Sequence, residues 1–406
     1  MDERLMVQIS SVFREIAVAE RVDHDQEWVH TRFSLCTDPY PLVVDVVAGT
    51  TAEATRIVYM LPGGGLNFRG NFFTPREHNL AHFLRRHGYL VVGITPREDA
   101  LDHPGDDPAV ATWGLAKRRR DNSKIIEMID QALRMPYDVL GHSVGGIQAL
   151  DYAAGRAGRS GRLGRVMVLD TTGPYDPVAE PALTRRARET AAGFRDLLHA
   201  PSRFSLSYTI DPSLKALVGA AIDDPAGRSA GAPRPDGSPF TNAGIAHYAL
   251  IKTAELPGPL NWIYEQGLSA GTYTWGATAA HDRFALHQTP LSTWAKALAQ
   301  LGSGLIVTAQ LRDLAAILAD DRSIYAIDWA GIDVPVVWVN MALGRGDHSR
   351  GADLIRAGGN PDVSFTVVQG YGHADPAWGK HARDDVWPLL VPCPAGRDCW
   401  CRESAR

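Results

Sequence analysis

Runs of hydrophobic residues with two different patterns mark the strands of the chain. Apolar and polar residues alternate over Glu27–Leu35 and Pro41–Ala48, which is typical of half-buried antiparallel strands. Largely apolar runs at Arg56–Leu61, Tyr89–Ile94 and Tyr137–Leu140 predict buried strands. Together the patterns predict a parallel sheet that begins with two antiparallel edge strands.

Apolar residues at helical spacing fill the intervals between these runs. The spacing predicts helices over Thr74–His87, Leu115–Leu133 and Val144–Ala154, followed by a further strand at Arg165–Leu169. Strands that alternate with helices in this way favour a parallel sheet with helices on both faces. We therefore predict an α/β fold.

The alternation of strands and helices stops between residues 175 and 323. This segment contains amphipathic helices such as Pro181–Leu198, and the stretch Asp223–Asn261 is rich in Gly, Pro and Ala. The alternation resumes with the strands Ile332–Asn340 and Val363–Gln369. The chain is therefore divided into a core (residues 1–174 and 324–392), a mainly helical insertion (175–323) and a cysteine-containing tail (393–406).

Composition and charge narrow the class of protein. The chain has 406 residues, of which 45% are hydrophobic, and this is enough for a large core. Its net charge of −5 comes from interspersed acidic and basic residues, so we expect no binding to nucleic acid. No apolar run is long enough to span a membrane, and charged residues interrupt Met1–Glu20, unlike a signal peptide. We therefore expect a cytoplasmic protein without a membrane partner.

Two further features leave alternatives open. Cys393, Cys399 and Cys401 crowd into the tail, where a disulfide or reduced thiols both fit, but they lack the paired spacing of a zinc site. The stretch Val7–Ala19 has helical periodicity, and its apolar side fits either a partner subunit or the edge of its own domain. The second feature leaves a homo-oligomer open.

The motif Gly-His-Ser-Val-Gly occupies residues 141–145, between a predicted strand and a predicted helix. Gly-x-Ser-x-Gly on such a turn is the nucleophile elbow, which holds the serine Oγ above the sheet. Glycines fit this place because the sharp turn leaves no room for side chains beside Ser143. The helix start also directs free N–H groups and a positive dipole end towards the reacting oxygen. Ser143 is therefore the candidate nucleophile.

Three other loops follow predicted strands. Residues 62–65 read Pro-Gly-Gly-Gly directly after Arg56–Leu61. The loop after Ile332–Asn340 contains Asp347, and the loop after the last strand reads Gly-Tyr-Gly-His and ends at His373. Because all of these loops lie at the C-terminal ends of strands in one parallel sheet, they can meet the elbow at one rim of that sheet.

The elbow and these loops resemble the α/β-hydrolase superfamily over about residues 33–387. The resemblance implies an α/β-hydrolase fold, a mostly parallel sheet flanked by helices, with the insertion as a helical cap domain over the active site. It also implies a catalytic triad of Ser143, Asp347 and His373, in the family's chain order. Asp170, at the end of the strand Arg165–Leu169, occupies an alternative acid position seen in some members, so two acids stay open.

The resemblance also assigns the glycine-rich loop to the oxyanion hole. Pro62 stands where histidine is usual in this family, and the glycines let the backbone approach the substrate oxygen. Gly64 and Gly65 are both candidates for one donor, and the N–H of Val144 is the second. The candidate substrate-pocket residues are Leu66, His142, Trp262, Tyr264 and Trp275.

A Ser-His-Asp set implies acyl transfer without a metal or an organic cofactor. We expect a serine hydrolase of carboxylesterase or lactonase type, which cleaves a medium-sized, largely apolar small-molecule ester or lactone through an acyl-enzyme on Ser143. The same triad also suits a thioesterase, an amidase, or an acyltransferase or cyclase of secondary metabolism. A third hypothesis is a non-catalytic ligand-binding homologue.

Overall fold

A nine-stranded sheet forms the centre of the computed structural model, within the residues that the structure describes: 3–14, 17–36, 40–50, 54–101, 108–156, 158, 161–199, 205–206 and 212–391. Its strands are β1 (Ala17–His24), β2 (Trp28–Leu35), β3 (Leu42–Gly49), β4 (Arg56–Leu61), β5 (Tyr89–Thr95), β6 (Tyr137–His142), β7 (Leu163–Leu169), β12 (Val336–Met341) and β13 (Val363–Val368). Four short strands lie outside this sheet: β8 (Ser205–Leu206), β9 (Gly271–Thr274), β10 (Arg283–Leu286) and β11 (Ile306–Val307). The order across the sheet is β1-β2-β3-β5-β4-β6-β7-β12-β13.

The sheet changes from antiparallel to parallel pairing at β5. β1, β2, β3 and β5 pair antiparallel with one another, and all pairs from β5 to β13 are parallel. Side chains alternate between the faces, so that Ile57 and Tyr59 join one hydrophobic cluster and Val58 and Met60 join the other. The predicted fold class is therefore confirmed, with one more antiparallel edge strand than the sequence pattern indicated.

Helices cover both faces of the sheet. They are α1 (Glu3–Phe13), α2 (Phe68–Phe72), α3 (Leu80–Arg86), α4 (Leu115–Leu133), α5 (Val144–Ala154), α6 (Pro181–Leu198), α7 (Pro212–Asp223), α8 (Asn242–Ile251), α9 (Leu291–Leu298), α10 (Thr308–Leu318), α11 (Arg350–Ala357), α12 (Asp375–Trp378) and α13 (Ala382–Asp385). α1, α4, α5 and α11 contribute to one hydrophobic cluster, and α2, α3 and α13 contribute to the cluster on the other face. The bounds predicted for α4, α5 and α6 are those that the structure shows.

The N-terminal stretch differs from its prediction. The helical periodicity predicted over Val7–Ala19 ends at Phe13, and the edge strand β1 begins at Ala17. Ile9 and Phe13 are buried in this chain's own core, and the Phe13 ring centroid lies 5.2 Å from that of Phe33. The apolar side of α1 therefore covers its own domain.

The segment between β7 and β12 is more structured than its composition indicated. It contains α6 to α10, and the hairpin of β9 and β10. The helix α8 lies inside the Gly-, Pro- and Ala-rich stretch, where Thr241 caps its first turn by accepting a hydrogen bond from the N–H of Gly244. α10 contacts both α6 within the segment and α4 of the core. The domain boundaries at residues 175 and 323 therefore stay a prediction.

Two predictions concern membranes and cysteines. In the part of the chain that the structure describes, no helix combines the length and the apolar character that crossing a bilayer would require. Cys36 is a free, exposed thiol. The tail at residues 393–406, with its three cysteines, lies outside the described residues.

Candidate active site

Ser143 lies on a strained turn between β6 and α5. Its backbone has φ 56° and ψ −126°, a sparsely populated region that costs roughly 1–3 kcal/mol. The turn brings the strand and helix so close that a Cβ added to Gly141 would lie 2.0 Å from the Gly145 carbonyl oxygen. A Cβ added to Gly145 would lie 2.0 Å from the carbonyl oxygen of Leu61 in the neighbouring strand β4. Only glycine therefore fits at positions 141 and 145, because a side chain at either would collide with backbone.

A chain of hydrogen bonds connects Ser143 to a histidine and a carboxylate. His373 Nε2 lies 2.9 Å from Ser143 Oγ, and His373 Nδ1 lies 2.6 Å from Asp170 Oδ2. All three side chains are buried, with relative exposures of 7%, 4% and 0% for Ser143, His373 and Asp170. With the proton on Nδ1, His373 donates to the carboxylate and its Nε2 accepts from the serine hydroxyl. This is the arrangement of a nucleophile, a general base and an orienting acid.

Asp170 directly follows β7 and its backbone has φ 46°. Its Oδ1 accepts hydrogen bonds from the backbone N–H of Met341 at 2.6 Å and of Arg345 at 3.1 Å. Gly344 makes room for this carboxylate, because a Cβ added there would lie 2.2 Å from Asp170 Oδ2. The loop after β12 thus holds the acid with its backbone.

The sequence analysis named Asp347 with Asp170 as the alternative, and in the structure Asp170 is the acid beside His373. Asp347 is exposed at the tip of the loop after β12 and makes no hydrogen bond to His373. The reason is the strand order: β7 lies directly beside β6 in the sheet, so the end of β7 reaches the elbow. The loop after β12 approaches the site as well, but it contributes N–H groups instead of its carboxylate.

Burial shifts the pKa values of both His373 and Asp170. It lowers the pKa of His373 well below its ordinary value, and the positive charge of Arg345 lowers it further. Burial raises the pKa of Asp170 to about 6, against the opposing effect of the Met341 and Arg345 N–H groups. At neutral pH the imidazole is therefore neutral and the carboxylate is ionised, as general-base catalysis requires.

A second buried carboxylate, Asp375, holds the histidine loop. Its Oδ2 accepts from the N–H of Gly372 and of Ala270, both at 2.7 Å, and its Oδ1 accepts from Thr289 Oγ1 at 2.6 Å. These bonds connect the loop of His373 to Ala270, just before β9, and to Thr289, between β10 and α9. Sequence analysis did not single out Asp375, although it lies only two residues after His373.

His142, predicted as a pocket residue, is hydrogen-bonded to the loop that carries His373. Its Nε2 donates to the carbonyl oxygen of His373 at 2.9 Å. Burial lowers the pKa of His142 to about 3, so the ring stays neutral. His142 Nδ1, which carries no proton in this tautomer, lies 3.2 Å from Asn71 Oδ1, and that oxygen accepts from the N–H of Gly63 at 2.9 Å. The His142 ring therefore joins the elbow to the histidine loop and packs beside the glycine-rich loop.

The geometry separates the two glycines proposed for the oxyanion hole. Gly64 borders the space beside Ser143 together with Val144, and its N–H donates to no acceptor among the described residues. The N–H of Val144 belongs to the first turn of α5 and has no partner within the helix. Gly65, with φ 71°, forms the turn of the loop and borders neither cavity at Ser143. Gly64 and Val144 are therefore the better placed pair of donors.

Two small cavities meet at Ser143 and Gly64, with volumes of about 30 Å³ and about 20 Å³. We call the first the Arg345 cavity; its other lining residues are Val144, Leu260, Ile263, Tyr264, Ile306, Gln310, Leu311, Leu314 and Arg345. We call the second the His373 cavity; its other lining residues are Gly63, Leu66, His142, Leu268, His373, Ala374 and Trp378. Larger surface clefts lie over α4 and α5 and near residues 326–330, away from Ser143.

The other predicted pocket residues divide into two groups. Leu66 lines the His373 cavity and Tyr264 lines the Arg345 cavity, where its ring centroid lies 5.0 Å from that of His373. Trp262 packs instead against Tyr175 and borders neither cavity. Trp275 is 41% exposed on the β9–β10 hairpin side, so the structure does not bring it to the site. Aromatic content alone did not distinguish these positions.

Comparison with known proteins adds three observations. A family model described as a thioesterase domain matches residues 122–249, which include Ser143 and Asp170. A protein from Sulfolobus solfataricus proposed to be a lipase has a similar structure, with a TM-score of 0.60 and 15% identity over 93% of this chain and 97% of that one. No curated protein matches the chain significantly by sequence.

Two other solved structures are more distant. A monoglyceride lipase from Saccharomyces cerevisiae has a TM-score of 0.48 and 11% identity, over 91% of this chain and 94% of that one. A carboxyl esterase from Bacillus coagulans has a TM-score of 0.46 and 12% identity, over 86% of this chain and 92% of that one. With the sheet order, the elbow and the similarity to the Sulfolobus solfataricus structure, the chain has the α/β-hydrolase fold.

Proposed function

We propose that the protein is a serine hydrolase that cleaves a carboxylic ester through an acyl-enzyme on Ser143. The observation that carries the proposal is the hydrogen-bonded series Asp170, His373 and Ser143 on a strained elbow. A strained turn and buried charged groups both reduce the stability of the folded protein. Such features are concentrated at active sites, where they contribute to the reaction.

The proposed reaction begins with proton transfer from Ser143 Oγ to His373 Nε2 as Oγ attacks the carbonyl carbon. The N–H groups of Gly64 and Val144 donate to the developing oxyanion. Asp170 stabilises the imidazolium through the Nδ1 proton. His373 then donates its Nε2 proton to the leaving oxygen, and the ester bond breaks to leave the acyl group on Ser143. A water molecule, activated by the same imidazole, releases the acid.

The proposed substrate is of medium size and largely apolar. Most residues that line the Arg345 cavity are aliphatic or aromatic, which favours an apolar acyl chain. The two cavities together have about the volume of a few water molecules. A substrate therefore requires residues such as Leu260, Tyr264 and Ile306 to move away from Ser143. We propose that these residues belong to a cap that opens for substrate.

Labelling with a fluorophosphonate probe followed by intact-mass measurement tests the nucleophile. We expect one adduct on the wild-type protein, none on Ser143→Ala and slowed labelling on His373→Ala. Hydrolysis of 4-nitrophenyl esters of increasing acyl length then measures the size of the acyl site. Absence of both labelling and ester hydrolysis, with ligand binding intact in Ser143→Ala, would instead support a non-catalytic binding protein.

The family match favours thioesters as the second candidate substrate class. The matched residues 122–249 include the elbow and Asp170, but not His373. Comparing a 4-nitrophenyl ester with the N-acetylcysteamine thioester of the same acid distinguishes the two classes by their kcat/KM values. Reaction in ¹⁸O-labelled water distinguishes hydrolysis, which places labelled oxygen in the acid, from acyl transfer or cyclisation. The same comparison with a matched lactone and amide tests the remaining alternatives.

A further inference from the structure

Arg345 is a buried cation in the wall of the candidate active site. The residue lines the Arg345 cavity together with Ser143 and Gly64, and it is only 3% exposed. Among the described residues, its guanidinium pairs with no carboxylate, and its Nε is buried without a hydrogen-bond partner. The guanidinium lies over the face of the Tyr264 ring, 5.0 Å from the ring centroid. Arg345 therefore presents unused donors beside the nucleophile.

Comparison with the other buried arginines shows that this state is unusual for the protein. Arg97 pairs with Asp121 at 2.9 Å, Arg118 pairs with Glu98, and Arg234 pairs with Asp282 at 3.0 Å. Each of these three residues is at most 4% exposed, as Arg345 is. Burying a charge without a partner is costly, and arginine stays protonated at all relevant pH values. The lone guanidinium is explained if a ligand supplies the missing anion.

The Asp170 carboxylate interacts with the charge of Arg345 but leaves its guanidinium donors free. The Asp170 carboxylate already accepts hydrogen bonds from Met341 N–H, Arg345 N–H and His373 Nδ1, and it makes no hydrogen bond to the Arg345 side chain. Gln310, which is 2% exposed, borders the same cavity, and its Oε1 is also buried without a partner. The Tyr264 hydroxyl is buried without a partner as well, so three residues with unpartnered polar atoms border this mostly aliphatic space.

The side of Ser143 on which Arg345 lies indicates which part of a substrate would carry the anion. His373, which delivers a proton to the leaving oxygen, lines the other cavity. Of the proposed oxyanion donors, Gly64 borders both cavities and Val144 borders only the Arg345 cavity. A substrate held between His373 and Val144 therefore places its leaving group beside His373 and its acyl chain beside Arg345.

We propose that Arg345 binds a carboxylate on the acyl part of the substrate, so that the preferred substrates are esters or thioesters of dicarboxylic acids with one end free. The guanidinium presents a planar fork of N–H donors that matches a carboxylate, and Gln310 can supply a further donor. The aliphatic residues of the cavity contact the methylene chain between the two ends. This inference rests on the proposed acyl-enzyme function and adds the substrate class.

The test compares two esters that differ in charge but hardly in shape. Mono-4-nitrophenyl adipate carries a terminal carboxylate, and 4-nitrophenyl 6-methylheptanoate carries an isopropyl group in its place. We expect the wild-type kcat/KM for the anionic ester to exceed that for the neutral ester by about 10- to 100-fold, as for a charge-assisted hydrogen bond. Half-esters of longer and shorter dicarboxylic acids are then compared to find the preferred chain length. The rate for each ester is corrected for its hydrolysis without enzyme.

Substitution of Arg345 assigns the preference to this residue. In Arg345→Met the ratio of the two kcat/KM values should fall to about 1, and Arg345→Lys, which keeps the charge without the fork, should give an intermediate ratio. Arg186→Met is the matched control: Arg186 is exposed, lies over Trp262 and borders neither cavity, so the ratio should equal that of wild type. A wild-type ratio near 1, or an unchanged ratio in Arg345→Met, overturns the proposal.

A second pair of esters tests the assignment to the acyl side. Here 4-carboxyphenyl butyrate is compared with 4-carbamoylphenyl butyrate, which places the charge on the leaving group. A preference for this anion that depends on Arg345 would overturn the acyl-side assignment. Failure of the proposed function gives a different result, because fluorophosphonate labelling and turnover of the neutral esters would then be absent. Labelling with a charge ratio near 1 refutes the Arg345 proposal alone.

Discussion

The Asp170 carboxylate receives three hydrogen bonds, and Asp347 makes none to the histidine. At the scale of single residues, this difference decides the chemistry, because an orienting acid has to fix the tautomer of His373. Chain order could not separate the two acids, since both lie between Ser143 and His373 in sequence. Contact with the imidazole separates them.

Exchanging each acid for its amide tests this assignment. Asp170→Asn should lower kcat/KM by about 10³- to 10⁴-fold, because the amide favours the wrong tautomer of His373. Asp347→Asn, at an exposed loop tip, should stay within about twofold of wild type. Steady-state hydrolysis of a neutral 4-nitrophenyl ester measures both. The opposite pattern would restore Asp347 as the acid.

The charge of Arg345 should also shape the pH profile. It lowers the pKa of both His373 and Asp170, since a nearby positive charge disfavours adding a proton to either group. Arg345→Gln removes that charge, so both pKa values rise and the acid limb of kcat/KM for a neutral ester moves to higher pH. Profiles from pH 4 to 8, each normalised to its own plateau, measure the shift. A limb that stays in place or moves to lower pH contradicts this electrostatic effect.

Asp375 is a positioning residue for the histidine loop. Asp375→Ala removes three hydrogen bonds and leaves the buried N–H groups of Gly372 and Ala270 unpaired, at a cost of roughly 1–3 kcal/mol for each. We expect a lower Tm and a kcat at least about tenfold lower with little change in KM. Asp375→Asn keeps an acceptor oxygen and should recover part of kcat. Asp384→Ala, at an exposed site in α13, is the control, and equal effects of all three variants would refute the role.

At the scale of elements, the elbow depends on how closely β4, β6 and α5 approach one another. The C-terminal end of β6 passes under the first turn of α5, and the end of β4 lies against the same turn. Local sequence predicts the strand, the turn and the helix, because the pattern is contained within about twenty residues. The contact with β4 comes from residues about eighty positions earlier.

Adding a methyl group at the elbow should therefore disrupt this crossing. Gly145→Ala places a Cβ 2.0 Å from the Leu61 carbonyl oxygen. Because both partners are backbone, neither can move without disrupting β4 or α5, so we expect loss of activity and a clear loss of stability. The matched control is Gly193→Ala in the exposed middle of α6, where a Cβ meets nothing within 4 Å. That change should stabilise the protein by about 0.5–1 kcal/mol. Thermal unfolding of both variants is the measurement, and a Gly145→Ala protein as stable as wild type would contradict the packing argument.

At the scale of the whole molecule, residues between β7 and β12 close over Ser143. The N–H groups of Glu265 and Gln266 donate to the carbonyls of Gly344 and Leu343, in the loop that also holds Asp170. His348, after the same loop, lies between two carboxylates of the covering segment, 2.6 Å from Glu180 and 3.2 Å from Glu265. Movement of this segment away from Ser143, as proposed above, would therefore loosen contacts that also support Asp170.

Removing the His348 contacts should make that opening easier. His348→Phe keeps an aromatic ring against Tyr175 but loses both carboxylate contacts. We expect faster hydrogen exchange at the amides of Glu265 and Gln266, measured by mass spectrometry, and faster fluorophosphonate labelling. His281→Phe, on the exposed hairpin side, should change neither. Unchanged exchange in His348→Phe would show that these contacts do not hold the segment closed.

The sequence by itself determined the parts of the protein that local patterns encode. Periodicity predicted the bounds of α4, α5 and α6, and the motif at residues 141–145 predicted a turn whose glycines the structure shows to be in contact with backbone. It also placed Ser143 and His373 in loops after strands, and the structure brings them within hydrogen-bond distance. These predictions succeed because strand, turn and helix preferences act over a few residues.

Tertiary structure alone decided which distant residues meet. The adjacency of β6 and β7 brings Asp170 to His373, the fold of the glycine-rich loop brings Gly64 beside Ser143, and Arg345 is buried over Tyr264 without a hydrogen-bonded carboxylate. α8 forms in a stretch whose composition predicted no helix, and β1 begins within the stretch whose periodicity predicted a helix. In both cases packing against neighbours outweighs weak local preference. Contacts between residues far apart in the chain depend on strand order and packing, which no local pattern records.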